Sequence, residues 1–554
     1  MTPTPQDNNK IQKGRVRGME LLNKTIGDCL NVRAEESPDK VAIEYWDQSY
    51  TWEEVDRFSD YLAGRMLASG MKKGDHAGIW SVNTPNWILT FFAMTKIGVV
   101  PILINTCYKE MELSHLIQYA DVRYMYYGES YKKLCYESMT ETIRRIEGCP
   151  VEKWIPIGRD HTGKWMTESS FTDEEKSYAR AEFLRTQKNL VKPEDTAAML
   201  FTSGTTSVSK GVMLSHYNLV NSAQGTLDFT RWTADDKVLL AVPLFHCFGI
   251  TSCLLTSVLD GCTIHLLKYA KTIKLLESID QYHCTVLNGV PSMFLAMIRK
   301  PEFYDYDTTS LRSGIIAGSA VSAKEYMEIQ KYLPNMNLLP SYGQTETSPC
   351  VTLMTDEDPY DKRAATAGRL IAYEELRVSD PQSGEVLSEG ATGEIEVRGY
   401  NIMQGYYKME EETAAAISAD GWLKTGDLGF MDPEGYLHII GRKKEMIIRC
   451  GENIAPLEIE NVISELDCVN AVKVIGIPAE VVQEMIVACV VPKPGRIISE
   501  SIIISYLTSR LAHYKIPSYV LEFSSLPMNA SGKILLPELK EQVIARLKKE
   551  KEGM

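Results

Sequence analysis

Along the chain, apolar positions keep changing rhythm, from helical spacing to short continuous runs. Thr51 to Ala68 sets Val55, Leu62 and Met66 near helical spacing, and the apolar run His76 to Ser81 predicts a buried strand. Trp87 to Ile97 is helical again and Val99 to Ile104 strand-like. The same rhythm predicts strands at Thr196 to Phe201, Lys237 to Val242, Thr263 to Leu267 and Gly314 to Ala317. Such alternation is the pattern of an α/β chain with parallel sheets. Thr392 to Arg398 and Gly435 to Ile440 read instead as strands of an antiparallel sheet, with Asp432-Pro-Glu-Gly435 as the hairpin turn. A boundary is suggested at Gly441 to Glu445, where the charged run Arg442-Lys-Lys-Glu445 follows a strand end. Beyond it the pattern gives a helix at Pro456 to Leu466, strands at Ala471 to Ile477 and Met485 to Val491, and helices at Ser501 to Leu511 and Pro537 to Lys549. About 110 residues suffice for a separate small α/β domain.

Composition narrows the classes. A chain of 554 residues is too long for one core, so at least two domains are expected. Its 44% hydrophobic and 24% charged residues are ordinary for a soluble globular protein. A net charge of −14 argues against a nucleic-acid surface and weakens attraction to anionic lipid. The 12 cysteines form no C-x-x-C pair and no zinc-like His/Cys spacing, which points to buried thiols in a reducing compartment. Met1 to Lys24 lacks the apolar core of a secretory signal. Val238 to Leu259 is the longest uncharged stretch, but Pro243, His246 and Gly249 break it into strand, loop and helix. A cytoplasmic protein with no nucleic-acid partner and no stable membrane insertion is expected; oligomeric state stays open.

The most informative segment is Thr202-Ser-Gly-Thr-Thr-Ser-Val-Ser-Lys-Gly211, directly after a strand. Backbone N–H groups and hydroxyls around Gly204 can meet phosphate oxygens, and Lys210 adds positive charge. Taken alone, such a run is an ordinary flexible loop. It is not a Walker loop, since G-x-x-x-x-G-K-[ST] is absent, as are G-x-G-x-x-G and G-x-S-x-G. Kinase, dinucleotide-dehydrogenase and serine-hydrolase readings lose their usual supports.

The segment resembles the phosphate loop of the adenylate-forming superfamily, which includes acyl-CoA synthetases, firefly luciferase and peptide-synthetase adenylation domains. Four more segments match in order. Gly318-Ser319-Ala320 is similar to the family's adenine-binding segment, and Tyr342-Gly343-Gln344-Thr345-Glu346 to its Y-G-x-T-E. Trp422-Leu-Lys-Thr-Gly-Asp427 and Gly441-Arg442 resemble its ribose-binding elements, and Ser531-Gly-Lys533 its catalytic lysine motif. The loop departs from the family at Ser207, where Gly is commoner, and at Ser209, where Pro is commoner. Both changes alter backbone freedom where the loop closes over the phosphates.

The resemblance implies a fold and a chemistry. The fold is α/β: a large N-terminal domain of two α/β subdomains plus a small β-barrel-like subdomain (1–442), then a small mobile C-terminal α/β domain (443–554). The substrates are ATP, a small-molecule carboxylic acid and coenzyme A. The acid attacks the α-phosphate, pyrophosphate leaves, and the acyl group passes from AMP to the CoA thiol. Two unit charges about 4 Å apart repel by roughly 4 kcal/mol at an effective dielectric near 20. Lys533 is the residue implied to offset that cost. The loop residues Thr202, Ser203, Gly204, Thr205, Thr206, Ser207, Val208, Ser209 and Lys210 would bind the phosphates. Gly318, Ser319, Ala320, Tyr342, Gly343 and Gln344 would form the nucleotide site with Asp427 and Arg442 at the ribose. Thr345 would bond the α-phosphate, and Glu346 would hold Mg²⁺, a hard cation suited to carboxylate oxygen. Lys444 would be the hinge, and Gly451 would lie nearest the pantetheine tunnel.

For the acid, Pro243-Leu-Phe-His-Cys-Phe-Gly249 lines the acyl side in relatives. Amino-acid-activating members usually have Asp after the Phe; here His246 follows Phe245 and resembles an aromatic gate. Val290, Met293, Ile315 and Ile316 would form an apolar second wall. A medium-chain fatty acid is the first expectation. An aryl or alicyclic acid, or a separate carrier protein in place of CoA, stays open beside it.

Overall fold

The computed structural model describes residues 11–15, 19–159, 164–179, 182–202, 209–449, 452–479, 482–529 and 533–552. Among these, the strands form four sheets of five or more strands and one small two-stranded hairpin. The seven-stranded sheet has parallel strands His76–Trp80, Val100–Leu103, Tyr124–Tyr127, Lys153–Pro156 and Thr196–Thr202. Lys210–Ser215 pairs antiparallel with Thr196–Thr202, and Gly405–Tyr406 closes that edge. The nine-stranded sheet carries six parallel strands in the order Asn337–Tyr342, Ser313–Ile316, Val286–Leu287, Lys237–Leu240, Thr263–Leu266 and Val41–Tyr45. Both faces of its central strands are buried, which is why their sequences read as unbroken apolar runs.

Helices start where the sequence provides caps. The Thr51 hydroxyl accepts a hydrogen bond from the Glu54 N–H, and the Glu54 carboxylate accepts one from the Thr51 N–H, fixing the start of Trp52–Ala68. Thr84 with Pro85 opens Pro85–Lys96, every residue of which is buried. Trp52, Trp87, Phe91 and Phe92 meet in the largest apolar cluster, between these two helices and the sheets. Val238 to Leu259 resolves into the strand Lys237–Leu240, a loop and a continuous helical stretch from Cys247 to Asp260, with a π-helical turn at Ile250–Leu255. No described helix is long and apolar enough to cross a membrane.

The antiparallel subdomain is a five-stranded sheet in the order Gln12–Lys13, Glu375–Ser379, Gly393–Arg398, Leu423–Met431, Leu437–Arg442. The two strands expected here are both present, yet they are not neighbours. Leu423–Met431, read beforehand only as a motif, lies between them and is the true partner across the 432–435 turn. The fourth sheet, Ile447–Arg449, Glu452–Ile454, Val469–Ala479, Gln483–Pro492 and Tyr519–Glu522, has its own two apolar clusters, flanked by Pro456–Ser464, Glu500–Thr508 and Leu536–Glu552.

Candidate functional site

Parallel strands gather their carboxyl ends on one side of a sheet, and ligands bind outside those ends. Every large-domain motif segment that follows a parallel strand sits at such an end. Thr202 ends Thr196–Thr202. Pro243 to Gly249 follows Lys237–Leu240, Asn288 to Met293 follows Val286–Leu287, Gly318 follows Ser313–Ile316, and Tyr342 ends Asn337–Tyr342. Ser203, Gly204, Thr205, Thr206, Ser207 and Val208 lie outside the described residues, as do Gly451, Ser531 and Gly532. At the loop's far end, Ser209 lies within reach of the Tyr108 hydroxyl and Lys210 starts the next strand.

Gly318 takes φ +87°, a left-handed turn that glycine adopts without strain, and Gly318, Ser319 and Ala320 are exposed at the strand end. At Gly343 a side chain would run into the Pro349 carbonyl. The Gln344 side chain reaches the Thr425 carbonyl at 3.4 Å. Tyr342 donates to Asp427 Oδ2 at 2.7 Å, and Arg442 Nε faces Asp427 Oδ1 at 3.0 Å. Antiparallel pairing aligns Asp427 with Arg442 across the two strands. Burial raises the Asp427 carboxyl above its ordinary range; Arg442 and the Tyr342 hydroxyl pull against that. Two motifs 85 residues apart are thus one bonded unit.

Thr345 and Glu346 begin the short turn Thr345–Thr347, held by the Thr347 hydroxyl accepting from the Gln344 N–H at 3.0 Å. Glu346 Oε1 accepts from the Tyr406 hydroxyl at 3.0 Å; Oε2 has no hydrogen-bond partner among the described residues. Among the described residues no cluster of three or more His, Cys, Asp or Glu could cage a metal. A single carboxylate suits Mg²⁺, which keeps waters and takes its remaining oxygens from nucleotide phosphates.

Lys533 enters from the C-terminal unit. Burial lowers its pKa and Arg442 lowers it further, while Glu346 and Asp427 act the other way, so the four charges lie within electrostatic range of one another. The Lys533 side chain is exposed to solvent. His246 is in the same field. Among the described residues its buried Nε2 has no hydrogen-bond partner, its ring centroid lies 4.4 Å from that of Phe245, and burial, then Lys533, push its pKa down to about 4. It is therefore neutral at physiological pH. Asn288 locks the wall beyond: its amide donates to the Ser252 carbonyl at 2.9 Å and its Oδ1 accepts from the Ile315 N–H at 2.8 Å.

A family profile for AMP-binding enzymes matches residues 30–407, and one for the AMP-binding enzyme C-terminal domain matches residues 458–533. The chain belongs to the AMP-binding enzyme family. This AMP-binding enzyme is 34% identical over 539 residues to YngI of Bacillus subtilis (strain 168), assigned as an acyl-CoA synthetase, covering 95% of this chain and 98% of that one. With human mitochondrial medium-chain acyl-CoA ligase ACSF2 it shares 30% over 550 residues, covering 94% and 88%. ATP-bound MatB from Rhodopseudomonas palustris matches with a TM-score of 0.80 at 27% identity, covering 94% of this chain and 99% of that one. The anthranilate CoA ligase AuaEII with anthranoyl-AMP, at 22% identity and a TM-score of 0.82, shares the fold, covering 94% and 97%. The AMP-binding enzyme is an AMP-forming acyl-CoA synthetase.

Two features of the AMP-binding enzyme's cleft escaped sequence reasoning. Tyr406, whose only signal was its place in a Gly-Tyr-Tyr run, reaches Glu346 from a strand 60 residues away. Around Lys444, which sits in the turn Lys443–Glu445, the neighbours on either side pair in opposite directions. Lys443 pairs with Glu394 of the antiparallel sheet at 2.8 Å, and Glu445 with Lys473 of the C-terminal sheet at 3.2 Å.

Proposed function

We propose that this AMP-binding enzyme activates a medium-chain fatty acid with ATP to acyl-AMP and pyrophosphate, then transfers the acyl group to coenzyme A. The observation that carries the reading is the bonded Tyr342–Asp427–Arg442 unit, with Lys533 within electrostatic range of it and of Glu346 and the neutral His246. An ammonium there offsets the repulsion between the incoming carboxylate and the α-phosphate, in the arrangement adenylation needs. Asp427, with Arg442 beside it, takes the ribose hydroxyls, and Tyr342, whose hydroxyl is bonded to Asp427, packs its ring on the adenine. Lys210 and the loop from Thr202 take the phosphates, and Thr345 bonds the α-phosphate. Glu346 would hold Mg²⁺, which when bound neutralises phosphate charge.

The acid lies between His246 and an apolar wall of Val290 and Met293; Ile315 and Ile316, neighbours on one strand, face opposite sides of the sheet and join different apolar clusters, so they do not line that wall together. That wall, neutral His246 and the absence of an acidic side chain after Phe245 favour a hydrocarbon tail over an ammonium-bearing one. Relatives named as medium-chain ligases support the same choice. Domains of 1–442 and 443–554 with Lys444 as hinge accommodate the second step: rotation withdraws Lys533 and brings the Gly451 segment to the thiol arm. A cytoplasmic location is proposed with it, against the mitochondrial one printed for the ACSF2 relatives; microscopy of a full-length fusion separates the two.

The test is pyrophosphate release across straight-chain, aryl and amino acids, followed by CoA-dependent consumption of the acyl-AMP formed. Greatest release with medium-chain acids and thioester formation on adding CoA are expected. Turnover of amino acids alone, or acyl-AMP that CoA leaves untouched, overturns the proposal.

A further inference from the structure

We infer that Tyr406 is a positioning residue that ties the phosphate-loop lysine to the metal-binding carboxylate, its ring seating Lys210 and its hydroxyl aiming Glu346. The inference rests on the functional reading above and deepens it.

The Lys210 ammonium lies 4.3 Å from the Tyr406 ring centroid, a cation–π distance, while the hydroxyl on the far end of that ring donates to Glu346 Oε1 at 3.0 Å. The ring is nine-tenths buried, so neither contact is diluted by full solvent exposure. Tyr406 is held from both sides by main chain. The Met403 N–H donates to the Glu346 carbonyl at 2.9 Å, and the Tyr407 N–H to the Gly211 carbonyl at 2.8 Å. Its own N–H donates to the Thr413 hydroxyl at 2.9 Å. Residues 403–407 thus form a strap whose one end is bonded to the Glu346 turn and whose other end is bonded to the strand leaving the phosphate loop. The strap fixes the backbones, and Tyr406 fixes the two charges.

The consequence is geometric. With Oε1 engaged by the hydroxyl, Glu346 presents Oε2 to the cleft in a set direction, as a carboxylate that supplies one oxygen to a phosphate-bound cation must. With its ammonium over the ring, Lys210 is kept from pairing with Glu346, which would cancel both groups before nucleotide arrives. Tyr406 therefore holds a cation and an anion near each other without letting them neutralise.

Two substitutions separate the two contacts. Tyr406→Phe keeps the ring under Lys210 and removes the hydroxyl; Tyr406→Leu removes both. Nucleotide binding is measured by calorimetry with ATP in EDTA and with ATP plus Mg²⁺, beside the Mg²⁺ titration of pyrophosphate release. Tyr406→Phe is expected to leave metal-free ATP binding within twofold of the parent while the half-saturating Mg²⁺ concentration rises about tenfold. Tyr406→Leu is expected to add about a fivefold loss in metal-free ATP binding. Glu346→Gln is run alongside, and unfolding midpoints establish that each variant is folded. An impaired Glu346→Gln with a normal Tyr406→Phe overturns the inference and spares the metal assignment. A Glu346→Gln with the parent's metal dependence overturns both. Equal metal-free binding by the Phe and Leu variants overturns the role assigned to the ring.

Discussion

Tyr342 and Asp427 share a 2.7 Å hydrogen bond across two sheets, and Arg442 occupies the other oxygen of the same carboxylate. Asp427 is only 4% exposed, and burial already holds its carboxyl above the ordinary range. Removing the tyrosine hydroxyl leaves a buried charge short of one donor, a loss of about 1–3 kcal/mol. Tyr342→Phe should therefore lower unfolding stability by that amount and weaken ATP binding about tenfold. Denaturant unfolding and calorimetry check it; unchanged ATP affinity would show that Asp427 does not depend on this bond.

In the proposed mechanism Lys533 would be needed where the carboxylate meets the α-phosphate, and Gly451 where the thiol arm enters. Roughly 4 kcal/mol of charge offset corresponds to about a thousandfold in rate. Lys533→Ala should lose about that factor in acyl-AMP formation yet convert supplied acyl-AMP and CoA at near-parent rate. Gly451→Leu and the hinge variant Lys444→Pro should do the reverse. Because the ammonium is the useful form and its pKa is lowered by burial and Arg442, adenylation should fall with rising pH before an ordinary lysine titrates. Equal damage to both half-reactions in the Lys533 and Gly451 variants would end this division of roles.

Specificity follows from the wall. Fatty acids of about six to twelve carbons should give the highest kcat/KM, and standard α-amino acids negligible pyrophosphate release. One methylene more or less in such a wall changes selectivity by only about 1–3 kcal/mol, so the optimum should be broad. A sharp preference for one aryl acid would count against it.

Acid stability should depend on His216. Its Nδ1 accepts from the Ile26 N–H at 3.1 Å, a bond only the unprotonated nitrogen can make, and burial lowers its pKa to about 4 while Asp195 and Asp28 oppose. The unfolded side chain titrates near 6.5, so the folded state has its full stability above that pH and loses it as pH falls from 6.5 towards 4. The loss is at most about 1.4 kcal/mol per pH unit in that window. His216→Asn offers an acceptor that does not titrate and should flatten the slope in denaturant unfolding between pH 7 and pH 5. A slope equal to the parent's would refute the assignment.

How far the sequence could be read depended on the range of the determinant. Thr51 with Glu54, and Thr84 with Pro85, are local signals: the first helix begins within one residue of where the spacing says, and the second begins two residues before the expected Trp87, at Pro85. Thr202 and Gly318 were expected at strand ends because each follows a strand in sequence, whereas the strand Asn337–Tyr342 that ends on Tyr342 was not expected. The strand Leu423–Met431 was missed: its Lys424-Thr-Gly-Asp427 stretch breaks apolar alternation, and its pairing with Gly393–Arg398 is non-local. The Tyr406–Glu346 and Lys443–Glu394 contacts span 60 and 49 residues, and no local periodicity encodes them.

The ion pairs on either side of Lys444 make the proposed hinge a swivel with its bearings already mounted. Lys443 is clamped to Glu394 on the large body and Glu445 to Lys473 on the small one. Turning the small body about the residue between them asks neither clamp to open, because each travels with its own side. The turn itself would then be taken up by the φ and ψ of one residue, two soft torsions with only a few allowed regions, while the contacts of Arg299 with Asn470 and of Lys324 with Asp467 would part. Such a joint would move between set angles instead of drifting through a continuum, and lengthening it by one inserted glycine would leave both clamps intact while erasing the stops.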